Sequence, residues 1–106
     1  MLDAQCLVLE LIRALRPLCV RLHAQSPDLA DQLRRAASSV ALNLAEGVRR
    51  TGRDKQRAYR IAAAEAQEAK VTLEVALAWG WLDEPEVAAV RALTDRVGRV
   101  TYALAR

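Results

Sequence analysis

A dense group of basic side chains near the middle of the chain is the feature with the clearest chemical potential. Residues 49–60 contain six basic residues and a single acid, Asp54. The basic residues are Arg49, Arg50, Arg53, Lys55, Arg57 and Arg60. The rest of the chain has ten basic and twelve acidic residues, so the net charge of +3 comes entirely from this segment. Cations at this density can bind the phosphates of a nucleic acid or an acidic protein surface.

The residue types that most often catalyse reactions are few and are not spaced for catalysis. His23 is the single histidine and has no cysteine or carboxylate at metal-ligand spacing, so we predict a helix C-cap or surface position for it. Glu65 and Glu68 have the spacing that one helix contributes to a carboxylate metal site, but the Glu-x-x-His signature of di-iron bundles is missing. Gly47 and Gly52 are not followed by the Lys and Ser or Thr of a phosphate-binding loop. We therefore predict a protein that is not an enzyme and needs no metal or organic cofactor.

The elements that position these residues are helices, because apolar residues recur at helical spacing and no segment alternates with period two. The predicted helices run from about Leu2 to Ala24, from Pro27 after an N-cap at Ser26, from about Arg53 to Trp79, and from a capping box formed by Asp83 and Glu86. Pro17 predicts a kink in the first helix, and Gly47 with Gly52 marks where the second helix weakens and stops. Gly47 either ends that helix or allows a close crossing. Short connections predict an all-α, antiparallel up-and-down four-helix bundle, with residues 1–106 as one domain.

The third and fourth helices carry the most telling apolar seams. On the third helix, one seam contains Tyr59, Ala62, Ala66, Ala69, Leu73 and Ala76, and a second contains Ile61, Ala64, Val71, Val75 and Ala78. Two seams indicate that more than one neighbour is buried against this helix, and the alanines let backbones approach closely. On the fourth helix the predicted seam is Val90, Leu93, Val97, Val100 and Leu104.

The second helix also carries a polar seam, whose members are Gln32, Arg35, Ser39, Asn43 and Glu46. A turn near Thr51 and Gly52 places three pairs opposite each other: Arg35 with Glu68, Asn43 with Arg60, and Glu46 with Arg57. Two interpretations stay open. The seam can be structural, pairing across the hairpin. The cations at the turn, which lack enough acidic neighbours, either stay solvated or meet an anion.

The run QLRRAASSVALNLAEGVRR (32–50), followed by RAYRIAAAEAQEAKVTLEVALAWGWL (57–82), resembles the bacterial four-helix-bundle family encoded in 23S rRNA intervening sequences. The signature of that family is a Q-L-R-R-A-A-x-S-[IV]-x-x-N-[IL]-A-E-G-x-x-R core, and the resemblance covers roughly Leu29 to Leu82. Members resemble the accessory protein of diversity-generating retroelements, a pentameric barrel that binds nucleic acid and a reverse transcriptase. The resemblance therefore implies a cyclic homo-oligomer, with a pentamer favoured. Ala58, Ala64 and Glu65 depart from the usual pattern, which has a Phe and a Gly-Ser pair in helix three.

The composition narrows what the basic segment can bind. Four aromatic residues are too few for a base-stacking platform, so binding through Arg49, Arg50, Arg53, Lys55 and Arg57 would be to the phosphates of structured RNA or duplex DNA. The alternative is an oligomeric adaptor that docks an acidic protein partner. No apolar run reaches the ~18 residues of a membrane span, and an acid stands where a signal peptide carries positive charge, so we predict a cytoplasmic protein without a membrane partner. Cys6 and Cys19, on one helix, lie too far apart to bridge.

Overall fold

A computed structural model describes residues 2–106 and contains four helices. They are α1 (Asp3–Gln25), α2 (Pro27–Arg49), α3 (Gly52–Ala78) and α4 (Glu84–Ala105). Each helix packs against the next one along the chain, and α1 also packs against α4. Because every short connection reverses the chain direction, the helices form an antiparallel up-and-down bundle of 43 × 23 × 20 Å. The predicted fold class is confirmed.

Local capping explains why the helix boundaries were readable from the sequence. The Ser26 hydroxyl accepts a hydrogen bond from the Leu29 backbone N–H at 3.3 Å, and Pro27 occupies the first turn of α2. Asp83 and Glu86 form the predicted capping box, with both side chain to backbone hydrogen bonds at 3.0 Å. The ends of α1 and α3 lie within one residue of the predicted ones.

Two glycines with positive φ make the tight ends of α3 possible. Gly52 has φ +57° at the start of α3, and Gly80 has φ +75° just beyond its end. This left-handed region is sterically easy for glycine alone. After Gly80, the Trp81 N–H donates to the Ala76 carbonyl at 2.9 Å and so closes the end of the helix. Pro17 does not end α1, which continues through it.

The core contains leucines and valines from α1 and α2 and small residues from α3. All six members of the first α3 seam are buried, and Ala62 and Ala76 have no exposed surface. The same core contains fully buried leucines of α1 and α2, among them Leu22, Leu33 and Leu44. Small side chains on α3 therefore let α2 approach closely, as the sequence predicted.

The buried face of α4 differs from the predicted one. Val90 and Val97 are buried as expected, but Leu93, Val100 and Leu104 are only partly buried, and Thr94 and Thr101 take their place in the interior. The Thr101 hydroxyl donates to the Val97 carbonyl at 2.7 Å, and the Thr94 hydroxyl donates to the Arg91 carbonyl at 2.9 Å. A threonine whose hydroxyl is satisfied by its own helix can be buried at little cost, and a purely apolar pattern overlooks it.

The second seam of α3 stays largely exposed in the single chain. We call it the outer α3 stripe: Ile61, Ala64, Val71, Val75 and Ala78, with Trp79 at its end. The exposed fractions are 38% for Ile61, 48% for Val71 and 68% for Trp79. Within residues 2–106, then, one seam of α3 is buried by its neighbours α2 and α4, and the other faces outward.

Candidate nucleic-acid interface

The connection between α2 and α3 gathers the predicted cations at one end of the bundle. Arg49 is in the last turn of α2, and only Arg50 and Thr51 separate this helix from Gly52, where α3 begins. Arg53 and Lys55 then lie in the first turn of α3. We call this group, together with Arg57 one turn further along, the basic turn.

The partners of these cations divide the basic turn into two classes. Arg50 donates from Nε to Glu46 Oε2 at 3.1 Å, and Lys55 Nζ lies 5.6 Å from the centre of the Tyr59 ring. By contrast, no ion pair within residues 2–106 engages Arg49, Arg53 or Arg57, and all three side chains are exposed. These three arginines are therefore available to an external anion, whereas Arg50 must first leave Glu46.

The fold adds one cation, Arg106, to this end, which the sequence reasoning missed. Because α4 runs antiparallel to α3, its C-terminus lies at the same end of the bundle as the basic turn. Ala63 and Ala64 of α3 line one groove together with Gly98 and Arg99 of α4, which shows that these parts of the two helices lie side by side. Arg106 lies about two turns further along, or ~10 Å closer to the basic turn. Only the antiparallel packing of α4 on α3 identifies Arg106 as part of this end, because no residue near it in the sequence does.

The polar seam of α2 lies along α3, but its hydrogen bonds differ from the predicted pairs. Gln32 Nε2 donates to Glu68 Oε1 at 2.8 Å, so Glu68 contacts a residue one turn before Arg35. Asn43 Nδ2 donates within α2, to the Ser39 carbonyl at 2.9 Å and to the Ser39 hydroxyl at 3.0 Å. Of the described contacts, none joins Arg35 with Glu68, Asn43 with Arg60, or Glu46 with Arg57. The predicted register was one turn off at Glu68, and contacts within one helix satisfied Asn43 and Glu46.

Two grooves between α2 and α3 nevertheless bring the seam residues together. Gln32, Arg35 and Ser39 line one of them with Glu65 and Glu68. Partial burial and the adjacent Glu68 carboxylate raise the pKa of Glu65. The second groove, of about 260 Å³, lies beside the basic turn, and its polar lining is Asn43, Glu46, Arg50, Asp54 and Arg57. Acids and cations alternate there, which makes this groove a structural seam more than a binding pocket.

Gly47 is explained by a close contact and not by the end of a helix, because α2 continues past it to Arg49. A Cβ placed on Gly47 would lie 2.3 Å from Cε1 of Tyr59, 2.7 Å from Cδ1 and 2.8 Å from Cζ. Real Cβ atoms do not approach so closely, so glycine is required while the Tyr59 ring keeps its place. The two helices thus cross with the backbone of α2 against the aromatic ring of α3, directly beside the basic turn.

Residues that could support catalysis or metal binding lie apart from one another. His23 is exposed in the last turn of α1, where an imidazole suits a helix C-terminus. Across residues 2–106, no three His, Cys, Asp or Glu side chains are grouped so that they could hold a metal ion. Cys6 and Cys19, both in the described part of the chain, are not joined by a disulfide, and burial raises the pKa of the Cys19 thiol. None of the four described helices is long and apolar enough to cross a membrane.

Fold and site together define a four-helix bundle with a basic turn at one end. The family model for the 23S rRNA-intervening sequence protein matches residues 5–103, and the chain belongs to this family. A solved structure with the same fold comes from Bacteroides thetaiotaomicron and is of a protein of unknown function from the S23 ribosomal protein family. It superimposes with a TM-score of 0.84 and 18% sequence identity, covering 97% of this chain and 98% of that chain. No curated protein matches the chain.

Proposed function

We propose that the protein is a non-catalytic homo-oligomer that binds structured RNA or duplex DNA through the basic turn. The observation that carries the proposal is the set of exposed arginines without an acidic partner, Arg49, Arg53 and Arg57. Crowded like charges repel one another, and phosphates relieve that repulsion while releasing the counterions of the nucleic acid. A cytoplasmic location fits this role.

The aromatic residues support phosphate binding over stacking on bases. Trp79 and Trp81 stack on each other, with ring centres 5.6 Å apart, at the end of the bundle opposite the basic turn. Tyr59 is buried and has Lys55 above its ring. Of the described residues, Tyr102 is the one aromatic residue exposed at the cationic end, and a single ring is too little for a stacking platform, so affinity would depend on backbone charge and shape.

The outer α3 stripe supports self-association. Val71 and Trp79 expose much of their apolar surface on a helix whose other seam is already buried. Burying such a stripe against another copy removes apolar area from water. A ring, with the pentamer favoured by the family resemblance, would repeat the basic turn around one rim. Several weak phosphate contacts would then act together with higher avidity.

The test is retention of duplex RNA or DNA by the purified oligomer at ~50 mM salt, where counterion release favours binding most. Replacing Arg49, Arg50 and Arg53 together by glutamate should abolish retention while helicity and oligomer size stay unchanged, because these side chains lie outside the core. The matched control replaces Arg13, Arg16 and Arg96 by glutamate, which changes the net charge equally at exposed positions away from the basic turn. Failure of the wild-type oligomer to retain either nucleic acid would refute the proposal.

The second candidate is an oligomeric adaptor whose basic turn docks an acidic protein. The ion pair between Arg50 and Glu46 favours it, because such a pair shows that carboxylates already satisfy part of this surface. Capture of an acidic peptide that is lost in the Arg49, Arg50 and Arg53 variant, with no retention of nucleic acid, would select this function.

A further inference from the structure

We infer that Tyr59 is a positioning residue of the basic turn: its ring holds the Lys55 ammonium in place relative to the C-terminal end of α2. The inference rests on the proposed function, since it assigns Lys55 a fixed role in phosphate binding. Tyr59 is only 7% exposed, so its ring belongs to the core as well as to the surface that carries the cations.

One side of the argument is the contact between Tyr59 and α2. The distances of 2.3 Å and 2.7 Å from a Cβ built on Gly47 to Cε1 and Cδ1 place the edge of the ring directly against the helix backbone. A glycine is what makes this approach possible. The ring therefore cannot shift toward α2, and its position is fixed two residues before Arg49.

The other side is the contact between Tyr59 and Lys55. These residues are four apart on α3, the spacing at which side chains on one helix meet. Lys55 Nζ lies 5.6 Å from the ring centre, within the range of a cation–π interaction, and Lys55 is half-buried while the arginines of the basic turn are exposed. A lysine held in this way loses less conformational freedom when it binds a phosphate.

The two contacts share a single ring, which links the backbone at Gly47 to the ammonium of Lys55. An aliphatic side chain at position 59 could fill much of the same core volume but could not attract a cation. Phenylalanine, by contrast, keeps the aromatic face. The pair of variants Tyr59→Phe and Tyr59→Leu therefore separates the positioning role from simple filling of the core.

The first measurement is nuclear magnetic resonance of the Lys55 ε-methylene protons in the intact oligomer. An ammonium above an aromatic face should show these protons shifted upfield in the wild type and in Tyr59→Phe, and at the ordinary lysine position in Tyr59→Leu. The matched control is Tyr102→Leu, which removes a 66% exposed tyrosine from α4 at the same end of the bundle and should leave the shift unchanged. An ordinary lysine shift in the wild type would overturn the inference.

The second measurement is the loss of duplex affinity caused by Lys55→Gln in each background. We expect Lys55→Gln to make the negative slope of log affinity against log salt shallower by about 0.9 in the wild type and in Tyr59→Phe, and by clearly less in Tyr59→Leu. Equal losses in all three backgrounds, with binding otherwise intact, would overturn the positioning role alone. A wild type that binds no duplex would overturn the proposed function and with it the role of Lys55, even if the upfield shift showed that the ring holds the lysine.

Discussion

The salt dependence of duplex binding follows from the number of available cations. Arg49, Arg53, Arg57 and Lys55 engage in no ion pair within residues 2–106. If all four contact phosphates, the slope of log affinity against log salt is about −3.6 for each engaged chain. Raising the salt from ~50 to ~200 mM should then weaken binding by roughly 150-fold. Fluorescence anisotropy of a labelled duplex, titrated at several salt concentrations, measures this slope.

Single substitutions by glutamine sharpen the prediction. Arg53→Gln should reduce the size of the slope by about 0.9, whereas Arg50→Gln should change it less, because Arg50 already pairs with Glu46 at 3.1 Å. Both members of that pair are about half exposed, so the pair contributes at most about 1 kcal/mol. Glu46→Gln should therefore release Arg50 and tighten binding by up to about 5-fold at low salt.

Two results would refute this reasoning. A wild-type slope smaller in size than about 1 would mean that phosphate contacts do not dominate. An equal reduction by Arg96→Gln, at an exposed position in the middle of α4, would mean that binding senses the total charge and not the basic turn.

The remaining predictions concern the bundle that carries the turn. Ala62→Leu should lower the free energy of unfolding by ~1 to 3 kcal/mol in chemical denaturation, because Ala62 is fully buried. Ala92→Leu, at an exposed position of α4, should change it by less than ~0.5 kcal/mol, and unchanged stability of Ala62→Leu would contradict the close packing of α3. The effects of Glu46→Ala and Arg50→Ala on the free energy of unfolding should be non-additive in a double-mutant cycle, whereas those of Glu46→Ala and Arg57→Ala should add. The opposite result would support the Glu46–Arg57 pair predicted from the sequence. Light scattering of the wild type should give a multiple of the chain mass of 11.7 kDa, and Val71→Asp should reduce the measured mass. The matched control is Val20→Asp, the same change at a 73% exposed position of α1, and a monomeric wild type would refute self-association. Hydrogen bonding to Arg91 lowers the pKa of Glu84 below its value in the unfolded chain. The stability that this carboxylate contributes is therefore present above the unfolded pKa and is lost as the pH falls through the folded pKa. Arg91→Leu should flatten this acid dependence of stability in urea unfolding, and an unchanged profile would contradict the ion pair.

The fold was predictable because its determinants are local. Ser26 with Pro27, and Asp83 with Glu86, mark helix starts through hydrogen bonds that span only three residues. The apolar period then assigns the first seam of α3, all six members of which are buried. On α4 the period fails at Thr94 and Thr101, because a hydroxyl that bonds to its own helix behaves as an apolar group in the core.

The side-chain pairs across the hairpin were less predictable, because helical spacing fixes a face and not a partner. Gln32 and Arg35 point to the same side of α2, and either could reach Glu68; in the structure Gln32 does. Glu46 had a choice between Arg57 across the hairpin and Arg50 one turn along its own helix. Residues four apart on one helix are already neighbours, whereas a partner on another helix must be brought into reach by packing. When the two candidate partners are both arginines, the partner on the same helix is therefore favoured.

The extent of the candidate interface depends on topology, which no local pattern contains. Arg106 is far from the basic turn in sequence and belongs to a helix whose charges are otherwise mixed. Antiparallel packing of α4 on α3 brings its C-terminus to the end of the bundle where α2 meets α3. Because an end with cations from three helices presents charge over a broader area than one turn does, it suits the spaced phosphates of a duplex better than a single anion. Arg106→Gln should therefore weaken duplex binding and leave the affinity for inorganic phosphate unchanged; an unchanged duplex affinity would place Arg106 outside the interface.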